Sequence, residues 1–506
     1  MSIRELPANP NLEHLKKQAR TLLHERLAAD QDAIARFAAF GIISEEPKLA
    51  DALHVIAREY GFDTWPALKF HIEASSENPV EALIAAVKAN SATLVRQAFV
   101  RHPSLKSRIN EPLPNYGFDE PALFAAVSRN NREMVDVLLD AGANINERTR
   151  WWAGSFGVLD WASAELASYL ISRGAIVDIH AAARLGMIDR VREFLARDPQ
   201  LVHARGGDGQ FPLHFASTVE IAAILLDAGA DIDARDIDHE STAVQYMVSI
   251  QPYRHDIAKY LISRGAQADI LAASAIGEVA LVERILNNDP DTVRTTVNDR
   301  YFPKHNPRSG GVIYMFGFGI TKSPHMIAHQ FGHNAVFDLL MQRSAPWLRL
   351  VQAAEIGDEL LTQRILQEHP TLVTRLSSYA ARRIVGVAVR NNTRALELLL
   401  SYGWPSNAVL ENNQTALHFA AWHGNLAMVR ALLNHNVPIN VFEKEHGGSP
   451  LGWALHGSLY SWARDKGDYV GVAKALLDAG AEIPKPERPL EATEDVLEII
   501  RQHTAD

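Results

Sequence analysis

One short phrase returns five times along this chain, and it restricts the fold more than any other feature. LLDAGANIN begins at Leu138, LLDAGADID at Leu225 and LLDAGAEIP at Leu476, with LISRGAIVD from Leu170 and LISRGAQAD from Leu261 as close variants. About one helix length upstream of several copies stands a second phrase: FPLHFA from Phe211, TALHFAA from Thr415, SPHMIA from Ser323 and SPLGWA from Ser449. A unit this short cannot bury its apolar face alone, so the copies must stack on one another. At 506 residues the chain also exceeds what one hydrophobic core usually serves.

Together the two phrases resemble the ankyrin repeat, with its Thr-Pro-Leu-His-x-Ala signature at a period of about 33 residues. The resemblance implies an all-α solenoid of roughly a dozen helix pairs, which presents a surface rather than a reaction. Residues 1–75 read instead as a helical cap. Leu12, Leu15, Ala19, Leu22, Leu23 and Leu27 recur at helical spacing, and further helices are expected near Asp32–Phe40, over Pro47–Tyr60 and from Thr64. The cap phrases NLEHLKKQA and VIAREYGFDTWPALK are similar to the N-terminal segment of bacterial multi-ankyrin proteins. Repeats are expected over 80–298 and 323–484, an aromatic and glycine-rich insertion over 299–322, and a C-terminal capping helix within 485–506.

A second type of unit lacks the Thr-Pro-Leu-His phrase and begins at Ile179, Ile270 and Leu350. Its Ala-Ala inner helix stops at Gly, and its outer helix stops before Pro.

Three stretches interrupt the stack: Thr149–Ala162, Arg300–Lys322 and His456–Tyr469. They carry Trp151, Trp152, Tyr301, Phe302, Tyr314, Phe316, Phe318, Tyr460 and Trp462, where a plain linker would be polar. These rings need something to pack against, and at least one insertion is expected to help enclose a pocket. Asp160 and Trp161 are expected to open the next inner helix. WWAGSFGVLD, from Trp151, is similar to a phrase in bacterial multi-ankyrin proteins. Ser155 in Ala-Gly-Ser-Phe-Gly lacks the strand–turn–helix context of a nucleophile elbow and reads as part of a turn.

Five residues are candidate acid–base groups: Asp160, Asp238, His239, Glu240 and His456. Asp238, His239 and Glu240 stand at a loop tip where Asp-Gly is usual, with Gln245 and Tyr246 replacing apolar residues in the following helix. The candidate ligand contacts are Trp151, Trp152, Trp161, Tyr246, Tyr314, Phe316, His325, His329, Trp422, His423 and Trp453. His325, His329 and His333 are spaced four apart, but no third ligand with motif spacing joins the first two, so no metal is expected. His214 and His418 occupy the His of the signature and are expected to bond loop backbone.

Composition narrows the partners. A formal net charge of −10 disfavours nucleic acid and anionic membrane. The charged start MSIRELPANPNLEHLKKQAR has no secretory apolar core, and the absence of cysteine fits a cytoplasmic chain. No phosphate-cradling glycine loop occurs, and no cofactor is expected.

Two functions follow. One is a cytoplasmic scaffold holding a protein partner on its concave face. The other is a non-redox hydrolase or lyase, or a binder, acting on a small polar or glycosidic molecule, with a pocket enclosed by the aromatic insertions.

Overall fold

The structure is a computed structural model, and it describes residues 4–7, 10–44, 47–74, 77–114, 116–484 and 490–505. Residues 485–489, at the start of the expected C-terminal segment, lie outside the described residues, as do a few positions of the expected cap. The described residues form helices joined by loops, with two isolated antiparallel bridges, Arg235 to Thr242 and Val409 to Thr415. The chain divides into two compact units, Met1–Ala230 and Asp231–Asp506.

The repeated Leu-Leu-Asp-Ala-Gly-Ala phrase is the end of an outer helix. In the first copy the helix Arg132–Asp140 buries Leu138, and Gly142 follows at φ +103°. That left-handed conformation turns the chain back, so the Ala143 N–H donates to the Leu138 carbonyl at 3.0 Å. The same closure recurs from Ala175 to Leu170, Ala230 to Leu225, Ala266 to Leu261 and Ala481 to Leu476. Each phrase therefore supplies a core leucine, a helix stop and the first residue of the next loop.

In the first unit, the helices Leu12–Leu27, Gln31–Ala38, Leu49–Glu59 and Trp65–Glu73 lie close to where the spacing placed them. They enclose a core of their own, built on Leu15, Leu22, Phe37, Val55, Ile56 and Leu68. Beyond it, helix pairs such as Ala122–Ser128 with Arg132–Asp140 stack around a second core containing Phe124, Met134 and Leu138. One expectation changes here. No inner helix opens at Asp160 and Trp161; a single 3-10 turn, Val158–Asp160, stands in its place. The rings of Trp151, Phe156 and Trp161 pack where a regular unit would place an Ala-rich helix.

In the second unit, inner helices such as Ile270–Ile276 and Ala416–Trp422 alternate with outer helices such as Val279–Asn288 and Leu426–Leu433. The Arg300–Lys322 insertion is partly ordered as a helical turn, Tyr314–Gly317. The first five residues of the His456–Tyr469 interruption are helix as well, because the inner helix Pro450–Tyr460 runs on through His456. The last helix is Glu494–Ala505; it buries Val496 and Ile500 and contacts the outer helix Tyr469–Asp478.

Candidate functional site

Three groups of sequence-selected residues occupy three different environments. In the first unit, the Phe118 ring meets Trp151, Phe156 and Trp161 edge-on, at centroid distances of 5.2, 5.2 and 5.1 Å. Trp152 lies 6.4 Å from Trp151. Arg148 donates from Nε to the Ser155 hydroxyl at 3.1 Å and from Nη2 to the Ser155 carbonyl at 2.7 Å, so this serine anchors an arginine. The buried Asp160 carboxylate accepts the Gly157 N–H at 2.7 Å. Burial pushes its pKa up to about 6, and the nearby Asp178 adds to the rise, while the Gly157 bond, Arg148 and Arg184 oppose it. Asp160, Arg148 and Asp178 line a cavity of about 190 Å3.

In the second unit, the loop tip and the insertion form one hydrogen-bonded body. The Asp236 carboxylate accepts the N–H groups of His239 and Ser241, both at 2.7 Å, and the Tyr246 hydroxyl at 3.1 Å. Ser309 Oγ donates to the Asp238 carbonyl at 2.6 Å, and the Ser241 hydroxyl accepts the Ile313 N–H at 3.0 Å. His239 Nδ1 lies 3.0 Å from the Gly311 carbonyl oxygen, which fixes the proton on that nitrogen. Glu240, at φ +48°, accepts the N–H groups of His305 at 2.9 Å and Asn306 at 2.6 Å. Tyr314 is buried with its hydroxyl 3.0 Å from Asp269, which also receives Gln245 Nε2 at 3.1 Å. Phe316 stays exposed, edge-on to His239 at 4.9 Å.

Asp236 was missed by sequence reasoning although it organises the tip. Nothing in its residue type separates it from Asp233 or Asp238; only the folded loop does.

The three spaced histidines face different partners. His325 is buried, with Nε2 2.8 Å from the Ser344 hydroxyl, and burial lowers its pKa to about 3. His329 is exposed beside Phe337, and His333 Nε2 lies 3.0 Å from the Ala275 carbonyl oxygen. The signature histidines bond backbone: His214 Nδ1 accepts the Phe211 N–H, and His418 Nε2 lies 3.2 Å from the Gly448 carbonyl of the next unit.

The third group is a run of rings on two neighbouring inner helices and the turn that follows the second. Trp453 meets Phe419 at 5.2 Å and Trp422 at 6.1 Å. Trp422 stacks on His456 at 5.9 Å and meets Trp462 edge-on at 5.8 Å, and His456 lies 4.4 Å from Tyr460. His423 does not join the outer surface; its buried ring lies 3.0 Å from the Val389 carbonyl oxygen through Nε2 and packs beside Trp462. At the outer end, Tyr460 is 53% and Trp462 71% exposed. The opposite sides of these helices carry Ala420, Ala421 and Ala454, all buried. Small residues let the helices approach, and the large rings are left facing outward. No helix among the described residues is long and apolar enough to cross a membrane.

Known proteins match the repeats. The family described as ankyrin repeats (3 copies) matches residues 384–486, and the single ankyrin repeat matches 119–150 and 208–237. The mouse ankyrin repeat and SAM domain-containing protein 6 is 33% identical over 142 residues, 26% of this chain and 16% of that protein. The rice E3 ubiquitin-protein ligase XB3 is 31% identical over 96 residues, 19% of this chain and 21% of its own. Ankyrin repeat protein nuc-2 of Neurospora crassa is 23% identical over 249 residues, 42% of this chain and 23% of that protein. The chain thus spans less than a quarter of the length of each of these relatives. The matched repeats fall in both units and coincide with their helix pairs, and repeats of this kind form protein–protein interaction scaffolds. The chain carries ankyrin repeats in an all-α fold.

Proposed function

We propose that this chain is a cytoplasmic scaffold that grips a protein partner through the inner-helix face bearing Phe419, Trp422, Trp453, His456, Tyr460 and Trp462. The observation that carries this reading is the exposure of Tyr460 and Trp462 at the end of a continuous series of ring contacts. Large aromatic rings left in water on an otherwise well-packed repeat are costly unless a partner covers them, and tryptophan and tyrosine dominate interface hot spots. The buried alanines behind the rings hold the two helices at fixed separation, so the rings are presented in advance of binding.

The hydrolytic reading is not favoured. Asp238, His239 and Glu240 hold the insertion in place through these hydrogen bonds. The absence of cysteine suits a reducing compartment.

The test is binding of a selected protein partner to the wild-type chain, to Trp453→Ala and Trp462→Ala, and to an outer-helix control, Arg430→Ala. The two tryptophan variants should each lose at least tenfold in affinity and the control should lose none. Equal affinity across all four proteins would reject this face.

A further inference from the structure

Where the insertion begins, the second unit holds a cavity of about 340 Å3, lined by Asp289, Asp291, Thr295, Arg300, Tyr301 and Tyr379 among others. Tyr301 and Tyr379 are 78 positions apart in sequence, yet their hydroxyl oxygens lie 3.1 Å apart. Arg383 donates from Nη2 to the Tyr379 hydroxyl at 3.1 Å and to the Arg294 carbonyl at 2.9 Å. Two phenols have two protons, and the bond between them uses one. Arginine is only a donor, so it takes up neither. One phenol proton therefore has no acceptor among the described residues. Burial, together with the bond to Tyr379, raises the Tyr301 pKa to about 12, which keeps the proton in place at neutral pH.

Two further donors line the same cavity. Arg300 contacts ring faces, with its guanidinium carbon 5.3 Å from the Tyr379 centroid and 6.0 Å from that of Tyr301, and it pairs with no carboxylate among the described residues. The Thr295 hydroxyl makes no hydrogen bond among them either. The acids are already engaged: Asp291 pairs with Arg294 at 3.3 Å, and Asp289 accepts the Asp291 N–H at 3.0 Å. Among the lining residues Arg294 and Arg300 balance Asp289 and Asp291, and Arg383, bonded to the Tyr379 hydroxyl, adds one positive charge beside them, in a chain whose formal net charge is −10.

We propose that this cavity binds a phosphate monoester, with Arg300, the spare phenol proton and the Thr295 hydroxyl as donors to its oxygens. Three donors from separate positions suit the three terminal oxygens of a phosphate monoester better than the two coplanar oxygens of a carboxylate, and guanidinium–phosphate bonds are among the stronger charge-assisted ones. The volume lies at the small end of ligand sites, so it admits a compact group. The ester is that of a free small molecule or of a phosphorylated partner side chain.

Isothermal titration of the full chain with phenyl phosphate at pH 7.5 and low salt tests this, with inorganic phosphate and a short alanine-flanked phosphotyrosine peptide as the other arms. Saturable one-to-one binding is expected. It should weaken at least tenfold in Arg300→Ala and severalfold in the Tyr301→Phe, Tyr379→Phe double variant, with benzyl alcohol giving no signal. Melting temperatures matching the wild type establish that the variants are folded. Tighter binding of the peptide than of phenyl phosphate assigns the ester to a partner side chain; the reverse order assigns it to a free molecule. Absence of saturable binding in all three arms, or affinity unchanged by Arg300→Ala, overturns the proposal.

Discussion

The Asp236 carboxylate accepts the Ser241 N–H at 2.7 Å, closing the finger from which the inserted segment is held. The same group takes the His239 N–H and the Tyr246 hydroxyl, so three donors depend on one buried acid. Asp236→Ala leaves those donors unmatched and should lower the stability of the second unit by about 3 kcal/mol, given roughly 1–3 kcal/mol for a buried donor left without a partner. Asp236→Asn keeps one acceptor and should cost less. Urea unfolding of both variants checks the order.

Glu240 acts further out, on His305 and Asn306, and these two bonds lie near the surface. Glu240→Ala should leave the melting temperature nearly unchanged and accelerate amide hydrogen exchange at His305 and Asn306. Unaltered exchange there would mean that the insertion is held by other contacts.

Asp160 gives the first unit a pH dependence of definite sign. Its pKa is about 6 in the folded chain against 3.8 for a free carboxyl, so the folded state binds the proton more tightly. The resulting stability is present below pH 3.8 and is lost as pH rises through 6. At ~1.4 kcal/mol per pH unit the loss amounts to about 3 kcal/mol. Asp160→Asn retains an acceptor for the Gly157 N–H and removes the charge. It should be more stable than wild type by about 2–3 kcal/mol at pH 7–8, with the gap closing towards pH 4 in denaturant titrations.

His325 works in the opposite direction. Its pKa is about 3 in the folded chain against 6.5 when free, so the unfolded chain takes up the proton first. The stability it confers is present above pH 6.5 and is lost as pH falls towards 3, by about 5 kcal/mol in total. His325→Leu fills the site with the residue that ankyrin units usually carry there. The variant should flatten the acid side of the second unit's stability curve between pH 6.5 and 4.

The repeat was legible because its residues act locally: Leu138 and Gly142 set a helix end within five positions, and the phrase does the same wherever it recurs. The missing inner helix at Asp160 was not, because it depends on Phe118 packing against Trp151, Phe156 and Trp161 from more than thirty positions away. Asp238, His239 and Glu240 stood out in the sequence, but their hydrogen bonds to residues 305–311 form only in the folded chain. The pairing of Tyr301 with Tyr379 has no motif at all; an insertion and a distant helix bring the two hydroxyls together.

The proposed partner-binding face is tested most directly by placing a photocrosslinking amino acid at Trp462 or, separately, at Arg430 on the outer helix, and irradiating each protein with the protein partner selected for the binding test. Crosslinking at position 462, abolished by Trp422→Ala with the melting temperature retained, is the predicted result. Crosslinking at 430 with none at 462 would contradict it.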